Sequence, residues 1–203
     1  LKPGLEKLQD SKKRLSSYLD YSRLFVDAIA QGVEKPFKAE PQIELVLDTL
    51  ADFIRDSDIK IKVESTDRRQ LNVPISAYSG IVMNLVTNAM KAITAKAASG
   101  ERQVRITASA SGDNHVLTVS DTGIGVPSAI RNRIWDPLFT TTQGENASLG
   151  SGMGLGLTLV HKVVANLGGK IQLLERPAAG YATTFEVVMP IKKGGKDHAP
   201  SLH

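Results

Sequence analysis

Cysteine is absent from this 203-residue chain. Its absence excludes disulfides, thiolate zinc sites and cysteine nucleophiles. No apolar run approaches the roughly 18 residues that a membrane-spanning helix needs. The N-terminus also lacks the charged-then-apolar pattern of a signal peptide. Aromatic residues make up only 5%, and the net charge of +4 arises from interspersed acids and bases. A concentrated basic stripe with interleaved aromatics is missing, so no nucleic-acid role is expected. The H-R-D and D-F-G signatures of the common protein kinases are missing too. What is present is an apolar fraction of 41%, enough for a real core, in a length that allows one full domain and an appendage. No internal repeat is visible. A cytoplasmic location is expected, with membrane anchoring of a parent protein left open.

Taken in order, residues 5–31 read as one amphipathic helix. Leu5, Leu8, Leu15, Leu19, Val26 and Ile29 fall on a heptad-like seam that a lone helix cannot bury. The spacing predicts a second helix from Pro41 to about Arg55 and a strand over Ile59–Glu64. A short strand at Leu71–Val73 follows, then a long helix from Pro74 to about Ala98. Val104–Ala108 and His115–Val119 form a hairpin. A short helix is expected over Ser128–Ile134, and a helix apolar nearly all round over Leu155–Leu167. Strands at Lys170–Glu175 and Thr183–Val188 close the domain. The interleaving is not a strict βαβ alternation, which favours an α+β fold: a two-layer α/β sandwich with helices on one face of a mixed sheet.

The chain is organised around Val119 to Leu157. Its first part is a strand running into Asp121-Thr122-Gly123-Ile124-Gly125. Glycines beside a carboxylate let a ligand approach the backbone closely. Its last part is Gly150-Ser151-Gly152-Met153-Gly154-Leu155-Gly156, a glycine run opening a helix, where free N–H groups and the helix dipole favour an anion. The run fits neither the dinucleotide fingerprint nor the P-loop. Between them, Trp135-Asp136-Pro137-Leu138-Phe139 reads as a hydrophobic anchor for a polar loop over 136–151. Upstream, Asn84, Asn88 and Lys91 lie at i, i+4 and i+7 on one face of the long helix. An amide oxygen suits magnesium beside phosphates, and an ammonium meets a phosphate as a point charge. Taken alone, these three residues are better accounted for by a solvated polar face.

In this order and spacing the four segments resemble the ATP-binding domain of the GHKL superfamily: gyrase-type topoisomerases, heat-shock chaperones, histidine kinases and MutL-type repair proteins. The match runs from roughly Pro41 to Pro190 and looks most like the catalytic domain of a sensor histidine kinase. Asn84–Ala89 resembles its asparagine box, Asp121–Gly125 its first glycine box, Ile134–Thr142 its phenylalanine box and Gly152–Leu157 its second glycine box. The ending Gly180-Tyr181-Ala182-Thr183-Thr184-Phe185 is similar as well. The resemblance implies a Bergerat-type fold over 36–191, a partial dimerisation helix over 1–32 and a flexible tail over 192–203. It further implies that Asn88 ligates magnesium with Asn84 beside it, that Lys91 contacts phosphate and that Asp121 reads the adenine amino group. Gly123 and Gly125 would lie against the base. Thr140, Gly152, Met153, Gly154, Leu155 and Gly156 would contact ATP from the lid. The implied activity is transfer of the γ-phosphoryl group to a histidine on an upstream helix of a homodimer, for relay to an aspartate of a response regulator. An ATPase clamp, a protein-serine kinase of the same fold and a non-catalytic docking domain are the alternatives.

Two departures bear on that reading. No Lys or Arg occurs between Pro137 and Gly156; Thr140-Thr141-Thr142 stands where the family often has a basic residue, and Arg131 and Arg133 are the nearest cations. Asn84 stands where the hydrolysing branches usually carry a glutamate base, which favours transfer over hydrolysis. Of the 4 histidines, His115 and His161 read as structural or surface residues and His198 and His203 lie in the tail. None suits an acceptor.

Overall fold

A computed structural model of the protein describes residues 35–96, 100–137, 139 and 156–191. The helix expected over 5–31, most of the loop over 136–151, the glycines before Gly156 and the tail from 192 lie outside the described residues. Element order is β1 (Phe37–Lys38), α1 (Ala39–Thr49), α2 (Ala51–Asp56), β2 (Lys60–Ser65), β3 (Gln70–Leu71) and α3 (Ile75–Thr94). Then come β4 (Gln103–Ser111), β5 (Asn114–Asp121), two 3-10 turns, α4 (Gly156–Asn166), β6 (Lys170–Leu173) and β7 (Thr183–Pro190).

The main sheet has the order β2-β4-β5-β7-β6. β2 runs parallel to β4 and the remaining neighbours are antiparallel. β4 and β5 are joined by a tight turn at Gly112, whose φ of 55° suits a residue without a Cβ. A parallel pair cannot be closed by a hairpin, so the chain must cross over between β2 and β4. The long helix α3 is that crossover, and this lays it across the sheet. Strand alternation points Val104, Ile106, Leu117, Val119, Val187 and Met189 at the helices, all nearly solvent-free. On α3 the answering stripe includes Ile81, Leu85 and Met90, each at 0% exposure. Full burial of such a side chain contributes about 1.5–3 kcal/mol, so this face anchors the two-layer sandwich.

Several local expectations are corrected. The helix expected over 41–55 is two helices, because it breaks at Leu50. There the Thr49 hydroxyl donates to the Val46 carbonyl at 2.6 Å, offering the backbone a local alternative to the helical ladder. The helix expected over 128–134 is a pair of 3-10 turns, Ser128–Ile130 and Arg133–Trp135. Their closing bonds span three residues, as in Ile130 N–H to Pro127 and Asp136 N–H to Arg133. α4 is apolar on one side only: His161, Lys162, Ala165 and Asn166 are exposed, since it forms the surface of the helical layer. The segment before α1 contributes β1, which pairs with β3 and sets Phe37 edge-on against Tyr78. No helix among the described residues is long and apolar enough to cross a membrane.

His115 is structural. It is fully buried, with Nδ1 at 2.9 Å from Asp67 and Nε2 at 3.1 Å from the Tyr78 hydroxyl. Arg69 donates to both Asp67 oxygens and to the Gly112 and Asn114 carbonyls. Burial pushes the His115 imidazole down, while hydrogen bonds from Arg69 and His115 outweigh burial and hold Asp67 at about 2. An ionised Asp67 fixes the tautomer: His115 Nδ1–H donates to it and Nε2 accepts from Tyr78. This network ties the start of α3 to the hairpin.

Candidate functional site

One face of α3 carries the site. Asn84, Asn88 and Ala92 follow at i, i+4 and i+8, spanning about 12 Å along the helix. At the first end, the Asn84 amide donates to the Gly80 carbonyl at 2.8 Å, which turns its Oδ1 outward. That oxygen lies 2.8 Å from where a Cβ on Gly156 would stand, and Asn88 Nδ2 lies 3.7 Å from the same point. Gly156 is the first residue of α4. The helix start to which the glycine run leads is therefore seated directly on the two asparagines, with its free N–H groups and positive dipole end beside them. Among the described residues the Asn88 side chain makes no hydrogen bond.

At the other end the Asp121 turn packs on Ala92. Ile124 N–H donates to the Ala92 carbonyl at 3.2 Å. A Cβ on Gly123 would stand 2.5 Å from the Ala92 carbonyl carbon, so only glycine fits this approach. Gly125 sits at φ 73°, the second position that needs glycine. Asp121 is 3% exposed, and burial pushes its carboxyl up to about 6 against hydrogen bonds from Gly123 N–H and Thr183. The turn is pinned from behind: the Thr122 hydroxyl donates to the Glu101 carbonyl at 2.6 Å and accepts from Gln103 N–H at 2.9 Å. Lys96 reaches the Thr122 carbonyl at 3.0 Å. Ile124 is 57% exposed beside this buried acid.

Lys91 lies between the two ends, half-buried, with its ammonium pushed down by desolvation. It makes no ion pair among the described residues, and a partly desolvated cation without a carboxylate is suited to receive an anion. Trp135 meets His161 and Phe185 at ring separations of 5.8 and 6.0 Å, and its carbonyl accepts from Thr158 at 3.0 Å. It is the hydrophobic anchor expected before the loop. Arg133 stacks over the Phe139 ring at 4.6 Å, and Arg131 points toward the Val126 and Leu174 carbonyls. Thr140, Gly152, Met153, Gly154 and Leu155 lie outside the described residues.

The structure thus brings Asn84, Asn88 and Gly156 together at one end and Asp121 and Gly123 at the other. Sequence reasoning did not single out Ala92, Thr122 or Thr183. A small residue eight positions beyond Asn84 is the signal for Ala92, and the register of β7 on β5, pairing Thr183 with Asp121, is the signal for Thr183.

The family described as histidine kinase-, DNA gyrase B-, and HSP90-like ATPase matches residues 75–193, a segment that holds every feature just described. The chain belongs to that family. The GHKL domain is similar to the signal transduction histidine-protein kinase AtoS of Escherichia coli K12, with 30% identity over 145 residues, 71% of this chain and 20% of AtoS. Among solved structures it is similar to the mycobacterial sensor histidine kinase MprB, at 26% identity and TM-score 0.60, covering 78% of this chain and 97% of that one. Full-length ShkA, solved in complex with AMPPNP, shares the fold at TM-score 0.68 and 22% identity, covering 96% of this chain and 40% of ShkA. For AtoS and two further curated relatives it matches, the chain spans 18–20% of their length. Those relatives are named as a signal transduction histidine-protein kinase, a sensor kinase and a sensor kinase/phosphatase.

Proposed function

We propose that this domain binds Mg-ATP along the Asn84–Asn88–Ala92 face of α3 and donates the γ-phosphoryl group to a histidine on a dimerisation helix, for relay to a response-regulator aspartate. The observation that carries this reading is the seating of a helix start and a buried carboxylate at opposite ends of one helix face. Phosphates belong at the first end, where the α4 N–H groups, Asn84 Oδ1 and the Asn88 carboxamide meet. The base belongs at the second, where Asp121 accepts from the adenine amino group and Gly123 lets the turn that carries this carboxylate settle on Ala92. Lys91 neutralises phosphate charge between them.

The donor set fits magnesium. Asn88 has a free amide oxygen, a hard ligand, and among the described residues no three acidic or histidine side chains form a cage of their own. Bound there through Asn88 and phosphate oxygens, the ion would supply charge neutralisation during transfer. Asn84 holds its amide nitrogen on the Gly80 carbonyl and cannot accept a proton from water, which argues for phosphoryl transfer over hydrolysis. Among the described residues His115 is buried in its network, and His161, though exposed, lies on α4 against the Trp135 ring and not on a dimerisation helix.

The test is incubation of the full-length protein with γ-labelled ATP and magnesium beside Asn88→Ala. Acid-labile, base-stable label that disappears in the variant is the expected result. Free phosphate without labelled protein would identify an ATPase clamp instead, and acid-stable label a serine kinase. No nucleotide binding at all would mark a docking domain.

A further inference from the structure

The outer face of the sheet, away from the helices, is half-exposed at Thr107, Thr118, Val116 and Glu186. It closes abruptly at one place. Ser120 and Thr184 belong to the same face, yet they are 0% and 2% exposed. Their hydroxyls lie 2.9 Å apart, and the Ala178 N–H donates to Thr184 Oγ1 at 3.0 Å. The cover is the segment entering β7. Within it Tyr181 reaches past β5 to β4, donating its hydroxyl to Gln103 Oε1 at 2.8 Å, while the Arg105 guanidinium lies over its ring at 5.2 Å. Arg105 Nε is buried there without a hydrogen-bond partner among the described residues, so the ring is what faces this guanidinium. The next residue, Ala182, donates its N–H to the Asp121 carbonyl at 2.7 Å, and Thr183 bonds the Asp121 carboxylate. Gln103 N–H in turn bonds Thr122. Tyr181 therefore spans β7, β5 and β4 directly behind the residue that meets the base.

We infer that Tyr181 is a positioning residue for base recognition, a brace on the outer face that fixes where Asp121 and Thr183 stand on the inner face and so sets discrimination between adenine and hypoxanthine nucleotides. The inference rests on the nucleotide-site reading above. An unbraced β5 end would keep the carboxylate but lose its placement, and hydrogen-bond energy depends steeply on placement. General binding through Asn88, Lys91 and the phosphates would persist. Hypoxanthine presents a carbonyl where adenine presents the amino group, so the ratio of affinities reads Asp121 placement and little else.

The experiment is calorimetric titration of the 203-residue chain with ADP and with IDP, beside thermal melts. Tyr181→Phe removes only the hydroxyl and should lower the ADP-to-IDP affinity ratio roughly threefold, the scale of one net hydrogen bond; Tyr181→Ala should lower it about tenfold. Gln103→Glu keeps an acceptor for the tyrosine and should retain the ratio, whereas Gln103→Leu should match Tyr181→Phe. A drop in melting temperature with the ratio unchanged in Tyr181→Phe and Gln103→Leu would overturn the brace while leaving the site reading intact. A wild-type chain that binds neither nucleotide, or both equally, would overturn the site reading and the brace with it.

Discussion

Replacing Asp121 by asparagine should make the empty protein more stable and nearly useless for nucleotide. The carboxyl is 3% exposed, and burial raises it to about 6 from its ordinary value of 3.8. The fold therefore retains a proton that the unfolded chain has already released. By linkage, that group's contribution to stability falls as pH rises from about 4 to about 6 and stays low above. At 1.36 kcal/mol per pKa unit, the penalty near neutral pH is on the order of 2–3 kcal/mol. Asparagine has the same shape, and its oxygen can still accept from Gly123 N–H. The variant should gain about 2 kcal/mol at pH 7.5, and the gain should vanish by about pH 4. In the same protein the loss of a charged acceptor for the adenine amino group should weaken ADP binding roughly 10- to 100-fold. Urea denaturation at the two pH values and ADP titration at pH 7.5 measure both effects. The wild-type affinity should also decline as pH falls through about 6, where Asp121 protonates, with proton release on binding just below that pH. Asp121→Asn should be flat across the same range. A variant less stable than wild type at pH 7.5, or one that binds ADP within twofold of it, would refute the assignment of Asp121 as a strained acid held for base recognition.

Two further outcomes follow from contacts elsewhere. Gly123→Ala places a Cβ 2.5 Å from the Ala92 carbonyl carbon and 2.8 Å from its oxygen, so the turn must lift off α3. The cost should be about 1–3 kcal/mol in denaturant melts, with ADP binding lost. Adding Ala92→Gly removes the side-chain contact at 2.7 Å but leaves the backbone ones, so the double variant should show no rescue. Asp67, held at about 2 by Arg69 and His115, contributes stability that is present above about pH 4 and lost as pH falls through about 2. Asp67→Asn should therefore be less stable by about 2 kcal/mol at pH 7 and should lose that deficit in acid. Its ADP affinity should match wild type, because the network bonds none of Asn84, Asn88 and Asp121.

What was legible in the sequence is what depends on local spacing. Asn84, Asn88 and Lys91 share a face because a helix repeats every 3.6 residues, and the hairpin around Gly112 follows from alternation and turn chemistry. The Asp121 turn and the glycine run are visible because each is a short contiguous pattern with one conformational purpose. The meeting of these parts is a property of register and of the crossover. Tyr181 and Gln103 are 78 residues apart, and Asp67 and His115 are 48 apart; nothing in either segment alone announces its partner. His115 shows the difficulty from the other side. As a histidine at an alternating strand position it fits a surface or a core equally, until Asp67 and Tyr78 arrive from other elements to satisfy both ring nitrogens.

Ala92 is the sharpest case of a site residue hidden by ordinariness. Alanine is the default helix residue, with little to mark it among its neighbours in Lys91-Ala92-Ile93. Its role appears only when Gly123 and Ile124 settle on its backbone, since a larger side chain there would hold the Asp121 turn away from α3. The same geometry explains why the two halves of the site form together. Gly123 can approach Ala92 only because it lacks a Cβ, and at the other end the bare Gly156 lies close against the Asn84 carboxamide. α3 is thus a rigid bar with a close glycine contact at each end. The distance between the proposed phosphate end and the proposed base end is set by a helical rise of about 1.5 Å per residue over eight residues, on a helix that the core already holds through Ile81, Leu85 and Met90. The separation of the two ends is fixed before any ligand arrives, which is what a site that recognises both ends of one nucleotide requires.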